Sequence, residues 1–431
     1  MNLFQNIKTF LLIIILLFSF VNCKDIPKPR YRQTSSLIGN RLYFFGGDFS
    51  TTDLIYDNSA NITNEVWYLD LSSSFDTATP PWNKDVGMPI GYVFGASCVS
   101  PIDNSVFLVG GRMFIPNTAN VNLSSSPVYV FNSNISLWTT PNIIGFNSSF
   151  KMRTEIQPVI DSYGKIYTFG GNNYTYSNVP YADYNDMSTL DTTSMIWFTL
   201  PKFANTPLPF FDYTATLLPN GIIVYIGGFK STPPDQYEAV SMYEIQTFNT
   251  INYSWSTKNA NGTYIDTRAY HSAVLTQNGE IIIYGGSMWN DTSKPAAPYL
   301  AKLDTNSWMW SITNLSQINA PQLCYHSAAL YGDYMIIAFG LNPSLSPNSN
   351  STLSNNLYIL DIKNYTWVTS FNTIQPLPPT SYPYGLFIGI GIGAGIILFG
   401  VVGFLLYKWI KQRKYQKYIA TPGTTADNAI V

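Results

Sequence analysis

The sequence predicts an all-β fold, a six-bladed β-propeller, followed by one C-terminal transmembrane α-helix. Three observations carry this. A short apolar strand that closes on a glycine pair recurs at a near-constant interval. An acid or asparagine six residues ahead of a tryptophan recurs in phase with it. A single uncharged run of bilayer length stands near the end of the 431-residue chain.

In chain order, the first element is MNLFQNIKTFLLIIILLFSFVNC. Lys8 precedes an apolar run from Phe10 to Val21, and Val21 and Cys23 suit the −3 and −1 sites of cleavage. This is the anatomy of a signal peptide over 1–23. The run is short for a bilayer span, which is what an uncleaved anchor would need.

The propeller is read over 24–370. Apolar strands end in glycine at LYFFGG (42–47), VFLVGG (106–111), KIYTFGG (165–171), IIVYIGG (222–228) and EIIIYGG (280–286). A sixth copy, MIIAFGL (335–341), reads as keeping only its first glycine, with Leu341 in place of the second. The first glycines are then Gly46, Gly110, Gly170, Gly227, Gly285 and Gly340, at intervals of 64, 60, 57, 58 and 55. The second phrase pairs Asn132 with Trp138, Asp191 with Trp197, Asn249 with Trp255, Asp304 with Trp310 and Asp361 with Trp367. In the first repeat Asp70 and Trp82 stand six residues farther apart. The acid or amide closes an Asx-type turn, and the tryptophan opens the next strand. One more strand precedes each glycine pair, as in TRAYHSAVL (267–275). Four antiparallel strands per fifty-odd residues make one propeller blade, which cannot bury both faces alone but can in a ring. The glycines are expected where strand ends crowd a neighbour, and the tryptophans as wedges between blades.

On these glycine pairs, the Asp/Asn…Trp pairs and the leading Arg or Tyr-His-Ser of some repeats, the chain resembles the kelch-repeat family. It departs from the pattern in its sixth glycine pair, in lacking the leading arginine in the second, fourth and sixth repeats, and in its long loops. The resemblance is also to galactose oxidase-like and attractin-like propellers. It implies a copper-oxidase alternative, because Tyr270-His271 and Cys324-Tyr325-His326 echo that oxidase's adjacent Tyr-His pair and cysteine. The only two histidines occupy the same place in their repeats, however, so a scaffold role is expected, with no metal and no cofactor.

Residues 371–384 read as a linker or stalk. The stretch 385–407 is uncharged and long enough to cross a bilayer. Lys408, Lys411, Arg413, Lys414 and Lys417 follow directly, so the positive-inside rule assigns 408–431 as a cytosolic basic tail. The expectation is a single-pass type I protein, ectodomain extracellular or luminal, at the plasma membrane. Gly385, Gly389 and Gly393 lie four apart, which allows close helix approach and a homodimer through the span. Sequons occur at Asn61, Asn122, Asn134, Asn147, Asn173, Asn252, Asn261, Asn290, Asn314, Asn350 and Asn364, all between the two apolar segments.

Only 11% of residues are charged. Setting aside the signal and tail leaves 17 basic against 24 acidic residues, about −7, which gives no support for nucleic-acid binding, so no nucleic-acid partner is expected. Cys98 and Cys324 remain as a disulfide or two buried thiols. No nucleophile elbow, phosphate loop or metal-spaced cluster is visible. The loop carboxylates Asp183, Asp186, Asp235, Glu238 and Asp291 cannot be paired by eye. The long loops that follow the glycine pairs should emerge together on one face. Their aromatics Phe114, Tyr174, Tyr176, Tyr181, Tyr184 and Trp289 (with Tyr56) are the candidate contacts for an extracellular protein or a glycan. The reading is a cell-surface glycoprotein that acts by binding. The alternative is a secretory-pathway membrane enzyme acting on carbohydrate, copper oxidase-like or glycosidase-like.

Overall fold

A computed structural model describes residues 25–50, 61–114, 128–146, 150, 153–173, 182–203, 205–233, 236–288, 293–312, 321–345 and 352–373. The predicted signal segment, the span at 385–407, the basic tail and most of the stalk lie outside these residues. Among the described residues no helix is long and apolar enough to cross a membrane.

Among the described residues to Thr373 six sheets of four or five strands, each from one contiguous repeat, form the blades, and three smaller sheets of two or three strands accompany them. In the first blade the order from inside outwards is Thr34–Ile38, Arg41–Phe45, Val66–Asp70, Trp82–Asp85. The other blades repeat that order, and the fifth gains a short parallel strand, Asn261–Gly262, beside its outer one. The inner strands Thr34–Ile38, Ala96–Val99, Val159–Ile160, Thr214–Leu217, Ser272–Leu275 and Ser327–Tyr331 each neighbour the next, and the last neighbours the first. The ring is therefore closed.

Its core lies between blades, because each sheet buries both faces against its neighbours. Tyr43, Phe45 and Val66 of blade one meet Val106, Leu108 and Phe131 of blade two. Equivalent clusters fill every junction, the last joining Ile336, Phe339 and Ile359 of blade six to Phe44, Trp67 and Leu69 of blade one. Each repeat tryptophan sits in the junction with the preceding blade. Trp82, Trp197, Trp255 and Trp310 are buried, whereas Trp138 and Trp367 are half-buried.

The turn before each tryptophan is built as the Asx spacing requires. Asp191 Oδ1 accepts from the N–H groups of Thr193 and Ser194, and Asp304 Oδ1 from that of Asn306. Two residues ahead of the tryptophan the chain turns left-handed, at Ser136, Met195, Tyr253, Trp308 and Tyr365. The first repeat differs, and its extra residues have a use. They form the strand Phe75–Asp76, which pairs with Ser370–Phe371 beyond the last blade. Phe371 is fully buried and stacks on Phe75 at 5.1 Å, with Tyr331 and Tyr334 around it. This latch closes the ring, so the fold includes residues that the sequence reading gave to the stalk.

The glycine pairs mark where adjacent blades touch. A Cβ on Gly170 or Gly285 would come within 2.3 Å of the Phe210 or Leu323 carbonyl oxygen of the next blade. Both positions have positive φ. The second glycine's N–H then donates to that same carbonyl, as from Gly171 to Phe210 and from Gly286 to Leu323. This pattern corrects the sixth repeat. There Gly340 N–H donates to the Arg30 carbonyl, so Gly340 is the second glycine. The residue lacking is the first, and Phe339 occupies its place with φ +63°. Its ring fills the closing junction against Phe44 and Trp82, packing that a glycine would forgo.

Two of the post-glycine segments continue as strands. Arg112–Phe114 pairs with Gly91–Val93, and Phe229–Thr232 with Gln236–Ala239 and Phe210–Phe211.

Candidate functional site

In every blade the inner strand starts, and the second strand ends, at one face of the ring. The long loops and the blade-to-blade connections therefore share that face, and tight turns occupy the other. Just before each inner strand one residue lines the mouth of the central channel: Arg32, Phe94, Glu155, Asp212, Tyr270 and Tyr325. All six have φ between 54° and 60°. For residues with a side chain this region costs on the order of 1–2 kcal/mol each. Backbone hydrogen bonds hold them there. In five of the six the N–H donates to the carbonyl of the equivalent residue one blade earlier, at 3.2 Å for Arg32 to Tyr325, 2.9 Å for Glu155 to Phe94 and 3.0 Å for Asp212 to Glu155. The Phe94–Arg32 and Tyr325–Tyr270 pairs continue the collar. It encloses a cavity of about 210 Å³ whose deeper wall is polar, with Gln33, Thr34, Ser97, Gln157, Ser272 and Ser327.

The collar is chemically uneven on a repeating frame. The Arg32 guanidinium lies over the Phe94 ring at 3.9 Å and reaches Tyr325 at 5.1 Å. Tyr270 and Tyr325 stack at 4.0 Å. Next to them in the ring the carboxyl groups of Glu155 and Asp212 lie side by side, and Asn172 Nδ2 donates to Glu155 Oε2 at 2.6 Å. Burial first, then the neighbouring Glu155 charge, pushes the Asp212 carboxyl well above its usual range. Burial likewise raises Glu155, against hydrogen bonding from Asn172.

Around the collar stands its scaffold. The leading arginines of the odd repeats are buried and bind the first-glycine carbonyl of their own blade: Arg30 to Gly46, Arg153 to Gly170 and Arg268 to Gly285. Arg153 also pairs with Asp186 at 2.7 Å, which gives that loop carboxylate a structural partner. Arg30 pairs with Glu65 at 2.7 Å. Burial opposes ionisation of Glu65, but hydrogen bonds from Lys84, Trp67 and Arg30 hold its carboxyl down at about 2. The histidines tie blades together as well. His271 Nε2 meets Thr214 Oγ1 at 3.1 Å, and His326 Nε2 meets Ser272 Oγ at 2.8 Å, each on the preceding blade.

Burial pushes His326 down to about 3, and burial, then Arg268 and His326, lowers His271 well below 6.5. Both are neutral in the fold, whereas in the unfolded chain they take protons near 6.5. The unfolded state then binds more protons below that pH, so this stability is present above 6.5 and lost as pH falls. Each histidine contributes about 1.4 kcal/mol per pH unit. The raised Glu155–Asp212 pair acts in the opposite sense through roughly one shared proton. The melting temperature should therefore fall from pH 6.5 to 4.5, and fall less in the double variant His271→Gln/His326→Gln. Equal slopes in the two proteins would refute the assignment.

The predicted contact residues fare unevenly. Phe114 is 2% exposed and packs beneath Phe94 with Ile62 and Val93, so it supports the collar from behind and presents no surface of its own. Tyr184 is half-buried, with the Arg153 guanidinium over its ring at 3.9 Å. Tyr56, Tyr174, Tyr176, Tyr181 and Trp289 lie outside the described residues, as do Asp235 and Asp291. Glu238 pairs with Lys230 at the surface, and Asp183 accepts from Tyr237. Cys98 and Cys324 are free, buried thiols, each raised by burial, Cys98 to about 12. Among the sequons, Asn134, Asn252, Asn261 and Asn364 are exposed. Asn173 is 2% exposed and its Oδ1 accepts from Ala182 N–H, so a glycan there would have to unseat that bond. Among the described residues no group of three His, Cys, Asp or Glu side chains could hold a metal ion. Arg32, Phe94, Glu155 and Asp212 were missed. Aligning the repeats at the position two residues after the leading arginine would have found them.

A KLHDC2/KLHL20/DRC7 kelch-repeats domain model matches residues 95–340 and 235–403. The chain belongs to the kelch-repeat family. Kelch domain-containing protein 3 of Rattus norvegicus is 27% identical over 327 residues, which cover 73% of this chain and 78% of the relative. Acyl-CoA-binding domain-containing protein 5 of Arabidopsis thaliana is 22% identical over 329 residues, 73% of this chain and 44% of its own. Putative protein tag-53 of Caenorhabditis elegans is 26% identical over 314 residues, 69% and 21% respectively. The kelch-repeat chain thus spans most of the rat relative and under half of the other two. The glycine pairs, leading arginines and tryptophans are the frame of this kelch ring, and the collar is where its repeats diverge.

Proposed function

We propose that this kelch-repeat chain is a single-pass type I membrane glycoprotein whose exported ring binds a protein partner through the collar face. One observation carries the binding half. Six side chains of four different chemistries are held left-handed, at a cost, around one cavity, while the frame beneath them repeats. Strain of this kind collects at sites that recognise something. Aromatic and arginine side chains around a pocket are the usual anchors of protein recognition. The apolar stretches at 1–23 and 385–407, the basic tail and the exposed sequons support the membrane half.

Binding is tested by capturing partners with the full-length chain and its variants. Tyr325→Ala and Phe94→Ala should each weaken capture at least tenfold, while Ile251→Ala on the turn face should not. Capture unchanged by the collar substitutions would overturn the proposal. Topology is tested in sealed vesicles, where the ring should resist external protease and lose mass with glycosidase. A ring digested from outside, carrying no glycan, would contradict the membrane half.

A further inference from the structure

We propose that the collar cavity receives one cationic side chain of the partner, a lysine ammonium or an arginine guanidinium, between the Glu155–Asp212 pair and the Tyr270–Tyr325 stack. This rests on the collar being the binding site and names what enters it.

The cavity wall asks for hydrogen-bond donors. Gln33 is 7% exposed, its Nε2 donates to Ser327 Oγ at 2.9 Å, and its Oε1 has no partner among the described residues. Asp212, on the same wall, has the Glu155 carboxyl as its hydrogen-bonding neighbour. One unpaired acceptor from blade one and the carboxyl pair of blades three and four therefore belong to residues lining one cavity of about 210 Å³. Ammonium and guanidinium groups carry donors only.

Charge points the same way. Glu155 and Asp212 line the cavity and Asp183 adds its field to Glu155, against the single cation Arg32. Arg32 is seated on the Phe94 ring, and its charge acts on both carboxyls. Two adjacent, largely buried carboxyls resist ionising together, and the Arg32 charge offsets that only in part, so they share a proton. An entering cation replaces that proton, and the pair becomes a doubly charged partner for it. The stacked tyrosines supply the aromatic wall that a cation favours.

The probes are the peptides acetyl-Gly-Arg-Gly-amide and its citrulline counterpart, which has nearly the same shape and no charge. They are titrated onto the full-length chain by saturation-transfer NMR. The arginine peptide should bind saturably, and the citrulline peptide at least tenfold more weakly. Glu155→Gln/Asp212→Asn should lose at least tenfold for arginine while keeping its melting temperature. Equal binding of both peptides, no binding of the arginine peptide, or indifference to the carboxyl variants would each overturn the cation. Partner capture separates the two proposals. Capture lost with Tyr325→Ala but unchanged in Glu155→Gln/Asp212→Asn would keep the collar and remove the cation, whereas capture indifferent to all of them would remove both.

Discussion

Trp310→Ala is expected to cost about 4 kcal/mol of folding stability, within the range for emptying a buried tryptophan site. The indole is 1% exposed and fills the junction of blades four and five with Val224, Ile226, Ile281 and Leu303. Its Nε1 donates to the Met242 carbonyl at 2.6 Å, a buried acceptor that alanine leaves unpaired. Trp310→Phe should recover most of the area but not that bond, and so lie between wild type and alanine. Urea denaturation of the three proteins checks the order. A loss below 1 kcal/mol for alanine would mean that the junction is not the core.

Phe371→Ala is expected to cost about 3–5 kcal/mol, although the residue lies outside every blade. Its ring is fully buried between Phe75, Tyr331 and Tyr334. Every other junction is joined by a continuous chain, whereas blades six and one meet only through packing, the strand pair 75–76 with 370–371 and bonds such as Gly340 N–H to the Arg30 carbonyl. Loss of the latch should therefore raise hydrogen exchange first in blades one and six. Uniform loosening of all six blades would show that the latch holds nothing in particular.

Much of this fold is legible because the repeating contacts are backbone contacts with strict steric needs. Only glycine tolerates a neighbour's carbonyl 2.3 Å from its Cβ direction, so Gly170 and Gly285 announce their junctions in plain sequence. The Asx turns of Asp191 and Asp304 are local, and a spacing of six to the tryptophan suffices to mark them. The sixth repeat misled because a motif was matched by its glycine alone. The bond from Gly340 N–H to the Arg30 carbonyl is a long-range fact, and it moves Gly340 by one place. The latch was visible only as extra residues between Asp70 and Trp82, since its partner strand lies some three hundred residues on. The collar was the least legible. Its six residues share a backbone conformation and no chemistry, so nothing in their side chains signals that they meet. Aromatic content drew attention to Phe114, whose ring turned out to be support behind the collar.

The most direct test of the account is hydrogen–deuterium exchange of the full-length chain with and without its captured partner. The account predicts protection at residues 30–34, 92–96, 153–157, 210–214, 268–272 and 323–327, the segments that form the collar, with no change in the turns around Asn40, Tyr163 and Ile251. Protection confined to those turns or to the outer strands, with the collar segments exchanging as before, would contradict it.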